Sequence, residues 1–198
     1  MHSTLRSLLF SLILLTPGML LAAGHPLANA KAGQWAKYLI TYDVPSEPFM
    51  SSKNAPRWRI VTDYDPDTGF IRADDKIMFG NERQSGGPQG FSTREPFEPL
   101  GGLRADAAIS VVATESAKVV VAGKPVACTK IVRKITMPFT DGFPSWKGTS
   151  TIWISTDVPL GLVRMENEFD RQISEDDKPQ HVIETWVLAE YGNEWKED

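Results

Sequence analysis

The stretch that decides the fold is Leu162-Val163-Arg164-Met165-Glu166-Asn167-Glu168-Phe169-Asp170-Arg171, in which apolar and charged side chains alternate. In an extended chain Val163, Met165 and Phe169 point to one side, and the charged side chains between them point to the other. This period of two is typical of an antiparallel strand with one face on a core and the other in water.

Working outward from this strand, the same period recurs along most of the chain. Short turns rich in Gly, Pro and Asp separate the periodic segments. The sequence therefore predicts a mainly β fold, a curved antiparallel sheet or half-open β-barrel with one or two short helices. The predicted strands lie within 35–42, 58–64, 70–73, 117–121, 126–134, 150–155, 162–171 and 182–191.

Two neighbouring regions do not share this pattern. Residues 80–102 are rich in Gly, Pro, Ser and Gln, and they predict a long loop that is either functional or mobile. Leu103, Ala107 and Val111 then follow at helical spacing, although Ser110 and Val112 would also suit the start of a strand. We favour a short helix over 103–113.

The first 30 residues have the pattern of a bacterial secretory signal. A short basic start leads into the apolar run 8–15, and Ala28-Asn29-Ala30 forms an A-x-A cleavage site before Lys31. An alternative cut lies near Ala22-Ala23-Gly24. The apolar run is interrupted at Pro17-Gly18 and is shorter than the ~20 residues that span a bilayer. We therefore expect cleavage near Ala30, no permanent membrane span, and a periplasmic or secreted protein with one β-rich domain over 31–198.

Charge and cysteine content exclude several classes of function. The chain has 21 basic and 25 acidic side chains, and Arg6 is the one charged residue in the first 30, so the net charge after cleavage is −5. This acidic balance argues against a nucleic-acid partner. Cys128 is the single cysteine and His181 the one histidine beyond residue 30, which excludes a disulfide and a closed His/Cys zinc site. We expect no cofactor.

Asp63, Asp65 and Asp67 repeat at the spacing of a calcium loop. Such a loop needs Gly at its sixth position, where this chain has Thr68, and Pro66 stiffens the middle. We interpret the segment as a hairpin turn and predict no metal site.

The chain has six tryptophans, more than a domain of this size needs. Core packing explains them, and an apolar cavity inside the curved sheet is the alternative. The side chains predicted to line such a cavity are Tyr38, Ile40, Trp58, Trp153, Met165, Phe169 and Trp186.

Three segments carry a family resemblance. Gly33–Tyr38 is similar to a G-x-W-x-x-Y strand, Val119–Cys128 to a V-x-V-x-A-G-x-x-x-C hairpin, and Thr151–Val163 to a W-x-S-x-x-V-P-L-G-L-V strand pair. Together they resemble secreted bacterial proteins of the LolA/LolB-like (lipoprotein carrier) fold group. The resemblance implies a half-open antiparallel barrel whose concave face takes an acyl chain or another apolar group. Carriers usually begin with a helix that plugs the barrel, whereas a strand signal comes first here.

These observations lead to three hypotheses about function. The first is a non-catalytic periplasmic protein that binds a lipid or acyl chain in the concave face of its sheet. The second is a structural or protein-interaction subunit of a cell-envelope complex, with a filled barrel and no ligand. The third is an enzyme that uses paired carboxylates, for which Glu166, Glu168 and Glu184 are the candidates.

Overall fold

Nine antiparallel strands form one sheet in the computed structural model, which describes residues 25–79, 82–99, 104, 106–140, 143–174 and 176–196. A single 3-10 turn, Pro48–Met50, follows the first strand. Among the described residues no helix is long and apolar enough to cross a membrane. The strands are β1 Trp35–Asp43, β2 Ser52–Asp65, β3 Phe70–Phe79, β4 Glu82–Ser92, β5 Ala108–Val121, β6 Lys124–Met137, β7 Ser145–Ile154, β8 Leu162–Gln172 and β9 Gln180–Gly192.

The strand order places the chain ends in the centre of the sheet. The order is β4-β3-β2-β1-β9-β8-β7-β6-β5, so β1 pairs with β9 and the consecutive strands β4 and β5 form the two edges. The chain must therefore pass from one edge to the other between residues 92 and 108. The sheet is strongly curved, because the backbone of β5 approaches β8 and β9, from which β6 and β7 separate it in the strand order.

The core lies on the concave face of this sheet. Its two largest fully buried side chains, Trp186 and Tyr38, come from the central strands β9 and β1, and β8 contributes Met165. The connection between β7 and β8 adds Val158 and Leu160, and the segment before β1 adds Leu27. A smaller cluster of Val44, Phe169 and Val182 lies toward the other end of the strands.

The expectation of a mainly β fold built on a curved antiparallel sheet is confirmed, and the sheet is not closed into a barrel. The helix favoured over 103–113 is wrong for its described part, because Ala108–Val121 is the edge strand β5. Pairing of thirteen β5 residues with β6 overrides the weak helical spacing.

The loop predicted over 80–102 also differs from the structure. Glu82–Ser92 forms β4, which pairs with β3 from Phe70 to Phe79. Gly and Pro are tolerated in an edge strand, where one side of the backbone has no ladder partner. A composition rich in Gly and Pro is therefore compatible with an edge strand as well as with a loop. The remaining described part of the predicted loop, residues 93–99, is called the crossing segment below. The signal segment up to Gly24 lies outside the described residues.

Candidate functional site

A row of polar side chains crosses the otherwise apolar concave face. We call it the polar belt. Its members come from six strands of the sheet and from the crossing segment, and most of them are buried. The belt consists of Asp75 on β3, Arg57 and Arg59 on β2, Glu184 on β9, Asn167 on β8, Ser150 on β7, Arg133 on β6 and Glu98 on the crossing segment.

One end of the belt is built around Asp75, which has no exposed surface. Arg59 binds its carboxylate with two hydrogen bonds, from Nε at 2.8 Å and from Nη2 at 3.1 Å. Arg57 donates a further bond to the same carboxylate. Bidentate pairing of this kind is the strong form of an ion pair. Its hydrogen bonds offset the free-energy cost of removing both charged groups from water.

The centre of the belt is formed by Trp186 and Glu184. The guanidinium groups of Arg57 and Arg59 lie 5.0 and 5.6 Å from the Trp186 ring centroid. Glu184 accepts hydrogen bonds from Trp186 Nε1 and from Asn167 Nδ2, each at 2.9 Å. The indole therefore joins the two halves of the belt through its ring face and its N–H.

Tyr38 closes the core beside the indole. Its ring centroid is 5.6 Å from that of Trp186, and its hydroxyl donates to the carbonyl of Leu162 at 3.2 Å. Burial raises the pKa of Tyr38 well above its ordinary range. The phenol thus stays neutral and acts as a hydrogen-bond donor at neutral pH.

The other end of the belt holds Arg133. Its Nη1 lies 2.8 Å from Glu98 Oε2 on the crossing segment, and its Nη2 lies 3.1 Å from Ser150 Oγ. The next residue of the crossing segment, Pro99, accepts a hydrogen bond from Arg59 through its carbonyl oxygen. Two arginines on β2 and β6 therefore hold two consecutive residues of the segment, which covers the concave face.

A pocket of about 30 Å³ opens beside Arg133. Its apolar lining includes Met137, Trp146, Met165 and Phe169. Trp146 stacks on Phe169 with ring centroids 4.3 Å apart. The pocket holds one or two waters at most in this state, since a drug-sized ligand needs roughly 300 Å³ or more.

Two polar atoms next to the pocket have no hydrogen-bond partner among the described residues. They are Asn167 Oδ1 and Arg133 Nε, on residues that are 7 % and 6 % exposed. The arrangement offers one donor and one acceptor between apolar walls, which suits the polar end of an amphipathic molecule.

The side chains predicted to line a cavity divide between the two faces of the sheet. Five of them lie on the concave face, according to the strand register: Tyr38, Ile40, Met165, Phe169 and Trp186. Trp58 and Trp153 lie on the convex face, because Trp58 pairs with Lys37 and Trp153 with Lys130. Met165 and Phe169 are the two that line the pocket.

The convex face carries an aromatic cluster that sequence reasoning missed. Trp35 and Trp195 meet edge to face at 5.7 Å, and Arg83 lies over both Trp58 and Trp195. Trp195 N donates to the carbonyl of Gly33 at 2.8 Å, so the C-terminal tail is docked on the outside of β1. The abundance of tryptophan therefore reflects packing on both faces.

Asp65, one of the three aspartates considered for metal binding, has its partners within its own turn. Asp65 accepts hydrogen bonds from the backbone N–H groups of Asp67 and Thr68, as expected for a turn. The hydroxyl of Thr68 also donates to this carboxylate and is the largest cause of a pKa of Asp65 below its ordinary value. The two backbone bonds lower the pKa further. In the described part of the chain no three His, Cys, Asp or Glu side chains are placed to hold a metal ion.

The three glutamates considered for hydrolysis are not brought together. Glu184 belongs to the polar belt, whereas the register places Glu166 opposite Thr185 on the convex face. Glu166 pairs there with Arg164, and the carboxylate of Glu168 lies 3.5 Å from His181. Cys128 is a buried core residue, and burial raises the pKa of its thiol.

Sequence reasoning also missed the polar belt. Arg59 stands between Trp58 and Ile60, so simple alternation assigns the aromatic residue to the core and the arginine to water. A signal was present in Asp75 and Arg133. Each places a charge within a strand, and the partner of opposite charge lies far away in the sequence. Only the strand order brings such charges to one face.

Comparison with known proteins finds two solved structures of exported or lipoprotein type at low sequence identity. A solved structure described as an exported protein with a YmcC-like fold, from Bacteroides fragilis, is 12 % identical, covers 82 % of this chain and 97 % of its own, and has a TM-score of 0.44. A lipoprotein structure from Parabacteroides distasonis is 12 % identical, covers 86 % of this chain and 99 % of its own, and has a TM-score of 0.46. No family model matches the sequence, and no curated protein does.

Proposed function

We propose that this chain is an exported, non-catalytic periplasmic protein that binds the acyl chain of an amphipathic molecule in the concave face of its sheet. The observation that carries the proposal is the pocket beside Arg133. Apolar walls from Met137, Trp146 and Phe169 meet there with a buried guanidinium. This pairing of an apolar wall with one fixed charge is suited to a single chain with an acidic head group.

The ligand enters by displacing the crossing segment. The pocket of about 30 Å³ is too small for an acyl chain while Glu98 occupies Arg133. Glu98 is the one member of the belt that does not belong to a strand, so it moves without breaking the sheet. The carboxylate of the ligand then takes the position of the Glu98 carboxylate, and the charge of Arg133 stays compensated.

The experiment is a titration with decanoate and, separately, with decanol, followed by native mass spectrometry. We expect saturable 1:1 binding of the acid and weaker binding of the alcohol, because only the acid compensates Arg133. Glu98→Gln removes the competing charge and should tighten decanoate binding by about tenfold or more, which corresponds to the ~1.5 kcal/mol of a charged hydrogen bond.

A matched pair of variants on β6 tests the location. Ile135 lines the pocket, whereas Val132 is half-buried on the opposite face of the same strand. Ile135→Phe should abolish binding and Val132→Phe should leave it unchanged. If neither ligand binds saturably below its micelle concentration, or if both variants behave alike, the proposed site is wrong.

The exposed edge strand β5 supports a second candidate function, that of an interaction subunit in an envelope complex. Val111 and Val112 are 52 % and 57 % exposed, and β6 is the one strand that pairs with β5 in the described sheet. Backbone groups along its free side are available to a strand of another protein. The opposite edge, β4, carries Gly86, Gly87 and Pro88, which discourage such pairing.

Co-purification from the native envelope tests this second candidate. A stoichiometric partner that is lost in Val112→Lys and kept in Lys118→Val supports strand addition at β5. A monomer from both preparations counts against it, and a dimer of this chain alone shows that β5 pairs with its own copy.

A further inference from the structure

We infer that the export signal is cut after Gly24, so that the mature protein begins at His25 and keeps the six residues His25–Ala30 as part of its fold. This inference depends on the export of the protein and is independent of ligand binding. It selects the alternative cut near Ala22-Ala23-Gly24 over the A-x-A cut at Ala30. Both cuts present small residues at the positions that signal peptidases read, Ala22 and Gly24 in the first case and Ala28 and Ala30 in the second.

Burial separates the two cuts. Leu27 is 1 % exposed and Ala30 is 5 % exposed, and both belong to the main core cluster. A cut at Ala30 would remove both from a protein that folds after export. The side chain lost at Leu27 alone leaves a cavity of the kind that destabilises a core strongly.

The segment is also fitted to the rest of the chain by specific contacts. Pro26 packs against Gly161 so closely that a Cβ on Gly161 would lie 2.4 Å from the Pro26 Cβ. Gly161 has a φ of 70°, in the region that favours glycine. The connection between β7 and β8 is therefore shaped to receive Pro26.

Local hydrogen bonds give residues 25–30 a defined conformation. Ala28 N donates to the carbonyl of His25 at 2.8 Å, and Ala30 N donates to that of Leu27 at 3.0 Å. Leu27 N donates to His25 Nδ1 at 3.2 Å, and the His25 ring meets Phe97 of the crossing segment edge to face at 6.0 Å. Two turns and a ring contact are features of a folded element, and a signal peptide has no need of them.

The test is the N-terminus of the protein recovered from the periplasm after expression with its own signal, read by intact mass and N-terminal sequencing. We expect His25, and an N-terminus at Lys31 or at any other residue would overturn the inference. Gly24→Leu should leave the precursor uncut. Ala28→Lys, at an exposed position of the turn, spoils the second cut alone and should leave processing unchanged.

A second measurement does not depend on the peptidase. Chains that begin at His25 and at Lys31, each produced directly without the signal, should differ in melting temperature by about 4–20 °C, with the longer chain more stable. Equal melting temperatures would show that residues 25–30 add nothing to the fold, and the inference would fail on that ground as well.

Discussion

Asp75→Asn should be among the most destabilising isosteric changes in this protein. The substitution keeps the volume of the side chain and one acceptor oxygen but removes the charge. Arg59, 3 % exposed, then keeps its positive charge without the carboxylate it now binds through two hydrogen bonds. Breaking a buried pair from one side costs about 3–5 kcal/mol, and in a chain of this size the melting temperature falls by roughly 6–20 °C.

Urea denaturation followed by tryptophan fluorescence measures this cost, with the m value as a check that the unfolded states are comparable. Asp74→Asn is the matched control, because Asp74 is the preceding residue on the other face of β3 and is half-exposed. It should change the stability by less than about 0.5 kcal/mol. The double variant Asp75→Asn/Arg59→Met has no unpaired charge at position 59 and should recover part of the lost stability. The reasoning is refuted if the two aspartate variants unfold at the same urea concentration.

Two further predictions concern the N-terminal segment. Burial lowers the pKa of His25, so its neutral form stabilises the folded state above pH ~6.5, and this contribution is lost as the pH falls through the lowered pKa. His25→Asn should therefore flatten the decline of stability between about pH 7 and pH 5; a slope equal to that of the unchanged protein would contradict the assignment. Gly161→Ala should destabilise the protein more than Gly123→Ala, since both positions have positive φ but a Cβ on Gly123 meets no atom within 4 Å. Equal melting temperatures of these two variants would show that the contact with Pro26 is unimportant.

The sequence predicts best the strands that have one buried face and one solvent-exposed face. β8 follows the predicted alternation because Met165 and Phe169 are buried while Glu168 and Asp170 are exposed. Local patterning suffices for such strands because burial on one face is the dominant free-energy term.

The prediction fails where both faces of a strand are covered. Four consecutive residues of β2, Trp58 to Val61, are buried, so its period of two carries no information about the face. Trp58 was assigned to the concave face, and the register places it on the convex face beside Lys37. The choice is made by the ion pair of Arg59 with Asp75 and by the docking of the C-terminal tail, and both depend on residues far away in the sequence.

The edge strand β4 and the first part of the edge strand β5 were missed for a different reason. β4 contains Gly86, Gly87 and Pro88. β5 contains exposed valines that do not alternate with polar residues. Neither has the pattern of a half-buried strand, because most of the side chains of both strands are exposed. The composition of an edge reflects protection from aggregation or the presence of a partner more than it reflects a core.

The positions of the two chain ends indicate where the sheet can open. The N-terminal segment buries Leu27 in the concave core, and the C-terminal tail binds Gly33 on the convex side, so the central pair β1 and β9 is held from both faces. The crossing segment follows the edge strand β4 and is held to the sheet by Arg59 and Arg133. We therefore expect a ligand to reach the pocket by releasing these arginines from residues 98 and 99. This is why the charge of Glu98, more than the number of aromatic side chains, should control whether the concave face binds an acyl chain.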